Sequence, residues 1–97
     1  MQLIASFSAR AGHEGFVRDL LAEYADVVRA TEGTILFEPS TASEHPQDFV
    51  VFERYRDEAA FQAHIGAVEN HVFNANMAEH LDGEVRLQFL DPVRAQA

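Results

Sequence analysis

His64 lies in the segment DEAAFQAHIGAV, where Phe61, His64, Ile65 and Val68 recur at i, i+3, i+4 and i+7. That spacing predicts one shared helix face, so an imidazole points inward among apolar neighbours. Such a histidine is either a satisfied core residue or a general base. An ordinary pKa of about 6.5 suits the second role at neutral pH. His71 shares the face only if the helix runs unbroken past Gly66 and Asn70. His13, His45 and His80 fall at element ends and read as solvent-exposed. With no cysteine and no HxxxH or HExxH, no metal site is expected.

Aromatic residues supply a second constellation. Phe37, Phe52, Tyr55, Phe61 and Phe73 are first of all core. Together with Met77, an excess of rings beside an inward histidine also suits a flat aromatic ligand. Glu38 and Glu53 fall on neighbouring predicted strands, on the faces of Leu36 and Val51. They are a proton-sharing carboxylate pair, or exposed strand ends, or salt-bridge partners of Arg54 and Arg56. No phosphate-cradling glycine loop, GxSxG motif or Cys/His pair is present. Nucleotide and covalent-hydrolase chemistry are therefore disfavoured.

Positioning these residues falls to a short chain of elements. Residues 2–9 alternate as a first strand, with Leu3, Ala5 and Phe7 on one face. A helix is predicted over 13–30, with Gly33 as its left-handed terminator. A second strand covers 34–38 and stops at Pro39. Residues 39–47 read as an exposed polar loop, followed by a third strand over 48–55. Asp57 then caps a helix over 57–68. Asn70 caps a continuation through Phe73, Met77 and Leu81, and a fourth strand spans 84–90. The order β-α-β-β-α-α-β is the split βαβ, ferredoxin-like α+β arrangement.

The 97 residues predict one domain over 1–92 with a loose tail at 93–97. A chain of this size buries only about two-thirds of its unfolded surface, so a partner copy helps it. Continuous apolar runs at 35–37 and 49–52 want cover on both sheet faces, which points to an isologous homodimer. The alternative is a monomer with an apolar open face. Net charge is −9 and the basic residues are seven scattered arginines, which argues against nucleic acid and anionic membranes. No signal peptide and no apolar run of membrane-spanning length is evident, so a cytoplasmic protein is expected.

VRATEGTILFE, then a polar loop, then DFVVFERYRDEAAFQAHI and FNANM resemble the antibiotic biosynthesis monooxygenase family, including its quinol monooxygenases. The likeness runs from about residue 3 to 90. It implies a dimeric α+β barrel whose C-terminal strand helps join two subunits, each with its own pocket. It also implies, for several members, oxygenation of phenolic or quinol-like substrates by O2 with neither metal nor flavin. His64 matches the family's helix histidine. Many members carry a second histidine five residues later; here that position is Glu69, and the nearest histidine is His71. The haem-degrading branch uses an asparagine on the first strand and a tryptophan on the helix. Ala5 and His64 stand at those positions here, so haem breakdown is disfavoured.

The leading expectation is a cofactor-independent monooxygenase with His64 as general base, acting on a small aromatic substrate with O2. Its pocket is expected to be lined by Phe37, Phe52, Tyr55, Phe61, His71, Phe73 and Met77. The rivals are an isomerase in the same pocket, and a non-catalytic ligand-binding or stress-associated dimer.

Overall fold

A computed structural model describes residues 1–94. Its elements follow the expected order: β1 (Gln2–Ala9), α1 (Glu14–Arg29), β2 (Thr34–Ala42), β3 (His45–Tyr55), α2 (Glu58–Gly66), α3 (Val68–Ala78) and β4 (Leu81–Leu90). The strands form one antiparallel sheet in the order β2-β3-β1-β4. This is the ferredoxin-like α+β fold. β1 alternates as its sequence demands, with Leu3, Ala5, Phe7 and Ala9 buried under the helices. Antiparallel register carries that face across β3, so Phe49, Val51, Glu53 and Tyr55 also point inward. Val17, Leu21, Tyr24, Ala25 and Val28 of α1 close the core from above.

Three boundaries differ from the sequence expectation. Pro39 does not stop β2; the strand runs through it to Ala42, paired in register with Val51. β2 is an edge strand, where a residue without an N–H need cost no ladder bond. The expected loop over 39–47 is therefore mostly a hairpin turning at Ser43-Glu44. Helix α2 ends at Gly66, where Ala67 becomes extended (φ −70°, ψ 146°) and caps both α2 and α3. Asn70 is thus inside α3 rather than at its cap. Leu81 belongs to β4, opposite Ala9. The tail expected at 93–97 falls largely on residues 95–97, which lie outside the described residues. Among the described residues, no helix is long and apolar enough to cross a membrane.

The face of the sheet away from the helices is less apolar than the runs at 35–37 and 49–52 suggest. Leu36 and Phe52 are exposed there. Between them and around them lie polar contacts, Arg54 to Gln2 at 2.7 Å and Ser8 to Asp48 at 2.7 Å. The larger uncovered apolar strip is on β4. Val85, Leu87 and Phe89 are 46%, 51% and 56% exposed, although Leu87 and Phe89 pair with the inward-facing Ala5 and Leu3. The strip lies on the helix side of the sheet.

Gly33 does not terminate α1, whose C-cap is Ala30, but it does adopt φ +92° at the entry to β2. A Cβ there would stand 2.7 Å from the Ala60 Cβ, so glycine lets the first turn of α2 close onto the chain. Gly12 has φ +87° with nothing within 4 Å of the same virtual atom. Gly12→Ala is expected to cost only the left-handed backbone strain, about 1 kcal/mol, and Gly33→Ala at least about twice that. Urea unfolding of the two variants checks the difference.

Candidate active site

The candidate site begins with strand alternation. Glu53 and Tyr55 are two residues apart on β3 and share its inward face, so their side chains stand side by side. The Tyr55 hydroxyl donates to Glu53 Oε1 at 2.6 Å. Asp57 then caps α2, its carboxylate accepting from the Ala60 N–H at 2.8 Å. The cap fixes where α2 starts and hence its rotation about its own axis. Phe61 and His64 consequently return over the residues just left behind. Phe61 packs on Tyr55 at 5.6 Å, and the His64 ring lies over Tyr55 at 5.1 Å and 29°. His64 Nε2 comes within 3.8 Å of Glu53 Oε1.

Burial governs the electrostatics of this group. Glu53 is the one charged residue type in the buried core of the described residues. Desolvation raises its pKa above the ordinary 4.5, with the Tyr55 hydrogen bond a smaller opposing effect. Desolvation lowers His64 below 6.5 and raises Tyr55 strongly, with the Glu53 hydrogen bond and charge adding to it. Both members of the Glu53–His64 pair are thus pushed toward their uncharged forms. A neutral imidazole with a lone pair is the species a general base requires.

A second polar group lies next to the first on the cavity wall. Tyr24 of α1 stacks on Phe73 of α3 at 4.0 Å and meets Phe37 edge-on at 5.8 Å. Its ring centre is 6.2 Å from that of His64. The Asn70 amide donates to the Tyr24 hydroxyl oxygen at 2.8 Å, and Asn74 donates to Asn70 Oδ1 at 3.1 Å. Both groups line a cavity of about 510 Å³, whose wall is mainly apolar side chains from the three helices and the four strands. That volume falls in the range of small-molecule sites. None of its described lining residues is Lys or Arg.

The structure places His64, Phe37, Phe61, Phe73 and Met77 on the wall of this cavity. Tyr55 lies behind the wall, touching the site through Glu53 and His64. Two expected lining residues are elsewhere. Phe52 alternates to the opposite face of the sheet, where it is 44% exposed. His71 is exposed on α3, because the break at Ala67 rotates it away from the His64 face. Sequence reasoning weighed Glu53 only as a partner of Glu38, a strand end or a salt-bridge residue, read Tyr24 as helix core and Asn70 as a cap, and passed over Asn74. The parity of Glu53 with Val51 was the available signal, and neither Arg54 nor Arg56 pairs with it. Arg54 binds Gln2, while Arg56 meets Glu32 and Asp57. Glu38 faces outward and pairs with Arg29 at 3.2 Å, so the two carboxylates do not meet. His13 and His80, expected in solvent, are half-buried against each other, Nδ1 to Nδ1 at 3.0 Å.

Residues 1–76 match the model of the antibiotic biosynthesis monooxygenase family. The chain belongs to that family. Solved structures agree in fold. The crystal structure of an antibiotic biosynthesis monooxygenase shares 18% identity, covering 96% of this chain and 98% of its own, with a TM-score of 0.90. Rv0793 from Mycobacterium tuberculosis shares 26% identity over 99% of this chain and 97% of its own, TM-score 0.88. PA3566 from Pseudomonas aeruginosa shares 22% over 96% and 93%, TM-score 0.88. Comparison with curated proteins finds no match.

The two buried titrating groups of this family member pull stability in opposite directions along the pH axis. His64 is depressed, so its contribution is present above pH 6.5 and lost as pH falls through its folded value. Glu53 is raised, so its contribution is present below pH 4.5 and lost as pH rises through its folded value. Glu53→Gln keeps an acceptor for Tyr55 and removes the buried charge. It is expected to be more stable than the parent by about 1 kcal/mol at pH 8, a Tm gain of roughly 4–8 °C. The gain should shrink toward pH 4, as thermal melts across that range would show.

Proposed function

We propose that this protein is a cofactor-independent monooxygenase that oxidises a quinol or phenolic aromatic substrate with O2, with His64 as general base. The observation that carries the reading is the largely buried imidazole of His64 in an aromatic cavity, 3.8 Å from the buried carboxyl of Glu53, where burial lowers the imidazole pKa. Membership of the antibiotic biosynthesis monooxygenase family supports the reaction type. Phe37, Phe61 and Phe73 offer ring faces and edges to a flat substrate, and Met77 fills the floor.

His64 takes the phenolic proton, and Glu53, 3.8 Å away, is the acidic group beside the imidazolium that forms. The electron-rich phenolate passes electrons to O2, and a ring carbon forms a bond to oxygen. The hydroperoxide then loses water to leave a carbonyl. For a phenol oxidised at a ring C–H, one phenol and one O2 give one quinone and one water, so no external reductant is needed. The apolar cavity holds anion and O2 together away from bulk water. The absence of Lys and Arg from the described lining favours an uncharged phenol over a sugar phosphate, which disfavours the isomerase alternative.

The active form is proposed to be a homodimer. Val85 and Leu87 line the cavity and are about half exposed, so the chamber opens along β4. A second copy seated on Val85, Leu87 and Phe89 would close that side and cover the apolar strip.

Three measurements test this. His64→Ala is expected to lower oxygen uptake on reduced menadione by roughly 10²–10⁴-fold while the protein stays folded. Unchanged uptake removes the role assigned to His64. Substrate conversion without oxygen loss at the electrode would move the protein to the isomerase class. Leu87→Asp is expected to shift the protein to monomer in sedimentation, since a buried Leu is worth about 1.5–3 kcal/mol to an interface.

A further inference from the structure

Tyr24 is the buried polar side chain on the cavity wall that the proposed proton transfer leaves unused. Its oxygen already accepts from the Asn70 amide at 2.8 Å. Among the described residues its own hydroxyl proton has no protein acceptor. The hydrogen bonds upstream all run one way, from Asn74 to Asn70 and from Asn70 to Tyr24. Each donor in such a line polarises the next, so the last O–H is a stronger donor than an isolated phenol. The side chain is also held in place. Phe73 stacks on one face of the ring with an interplanar angle of 8°, and Phe37 meets it edge-on at 88°.

We infer that Tyr24 is a second substrate-contacting group, donating its hydroxyl to an acceptor oxygen of the aromatic whose own hydroxyl faces His64. The inference rests on the aromatic-substrate reading above and narrows it. The pocket takes a ring system carrying two oxygens, a hydroxyl that gives a proton to His64 and a carbonyl or second oxygen that accepts from Tyr24. Ring centres 6.2 Å apart put both groups within reach of one ring or one fused pair. Burial raises the Tyr24 pKa, with the Asn70 hydrogen bond opposing and the Glu53 and Glu69 charges adding, so the hydroxyl stays protonated as a donor must. Such a donor also stabilises negative charge as it develops on the ring oxygens, which is where a pre-aligned O–H acts on rate.

Calorimetric titration with two probes tests the assignment: 5-hydroxy-1,4-naphthoquinone, which carries a hydroxyl and carbonyls, and 1-naphthol, which carries the hydroxyl alone. Tyr24→Phe keeps both ring contacts and loses only the O–H. It is expected to weaken the hydroxyquinone by roughly 5–10-fold and leave 1-naphthol unchanged. Asn70→Ala, which leaves the hydroxyl but frees its orientation, should give a smaller loss with the same selectivity. Equal weakening of both probes by Tyr24→Phe, or no weakening of either, overturns the Tyr24 assignment while the aromatic pocket stands. Binding of neither probe by the parent protein overturns the pocket reading itself, and the assignment with it.

Discussion

The site depends on one constraint: a carboxylate placed inside a hydrophobic core. Glu53 is fixed there by strand parity, because shifting β3 by one residue would send its whole inward set to the other face. The core in turn is committed to that parity through Phe49, Val51 and Tyr55. A buried carboxylate without partners would be strongly destabilising. Tyr55 supplies the hydrogen bond and His64 the nearby base, and both are positioned by the same short stretch of chain. Strand end, cap and helix start therefore form one unit. Asp57 matters as much as any cavity residue, since losing its cap would free the rotation of α2 and with it the aim of His64.

This arrangement carries a cost in stability. The core could hold a neutral residue at position 53 at lower cost. Burial acts on both partners with opposite signs, raising the acid and lowering the base, so each is pushed toward its uncharged form. The same desolvation that makes Glu53 costly makes His64 a free base at neutral pH. Each shift comes from burial of the group itself rather than from the charge of its neighbour.

How much of this was readable from the sequence follows from which interactions are local. The strand faces, the Asp57 cap and the helix-facing His64 are set by residues within four positions of one another, and all were predictable. The ends of β2 and α3 were not. Whether Pro39 stops a strand depends on whether that strand is an edge, a property of the assembled sheet rather than of the segment. Asn70 looks like a cap by type and place, but its amide is used across the fold on Tyr24, 46 residues away. Glu53 has the right parity in the sequence, but its type alone leaves a carboxylate pair, an exposed strand end and a salt bridge to Arg54 or Arg56 all open. Those arginines point elsewhere because alternation sends Arg54 to the other face and the chain turns at Arg56.

Phe52 and His71 show the same limit from the other side. Residue type made both attractive for a ligand site, and a single geometric fact removed each. For Phe52 the fact is the two-residue period of β3, which was available from its neighbours Val51 and Glu53. For His71 it is one extended residue, Ala67, which resets the helical phase after Gly66. That break also has a constructive effect. It turns α3 so that Asn70, Phe73 and Met77 face the cavity, whereas an unbroken helix would have carried the His64 face onward through Val68 and His71. The polar wall beside Glu53 and His64 therefore exists because the helix is interrupted. A continuous helix would have offered the cavity a second histidine in place of an amide held against a tyrosine.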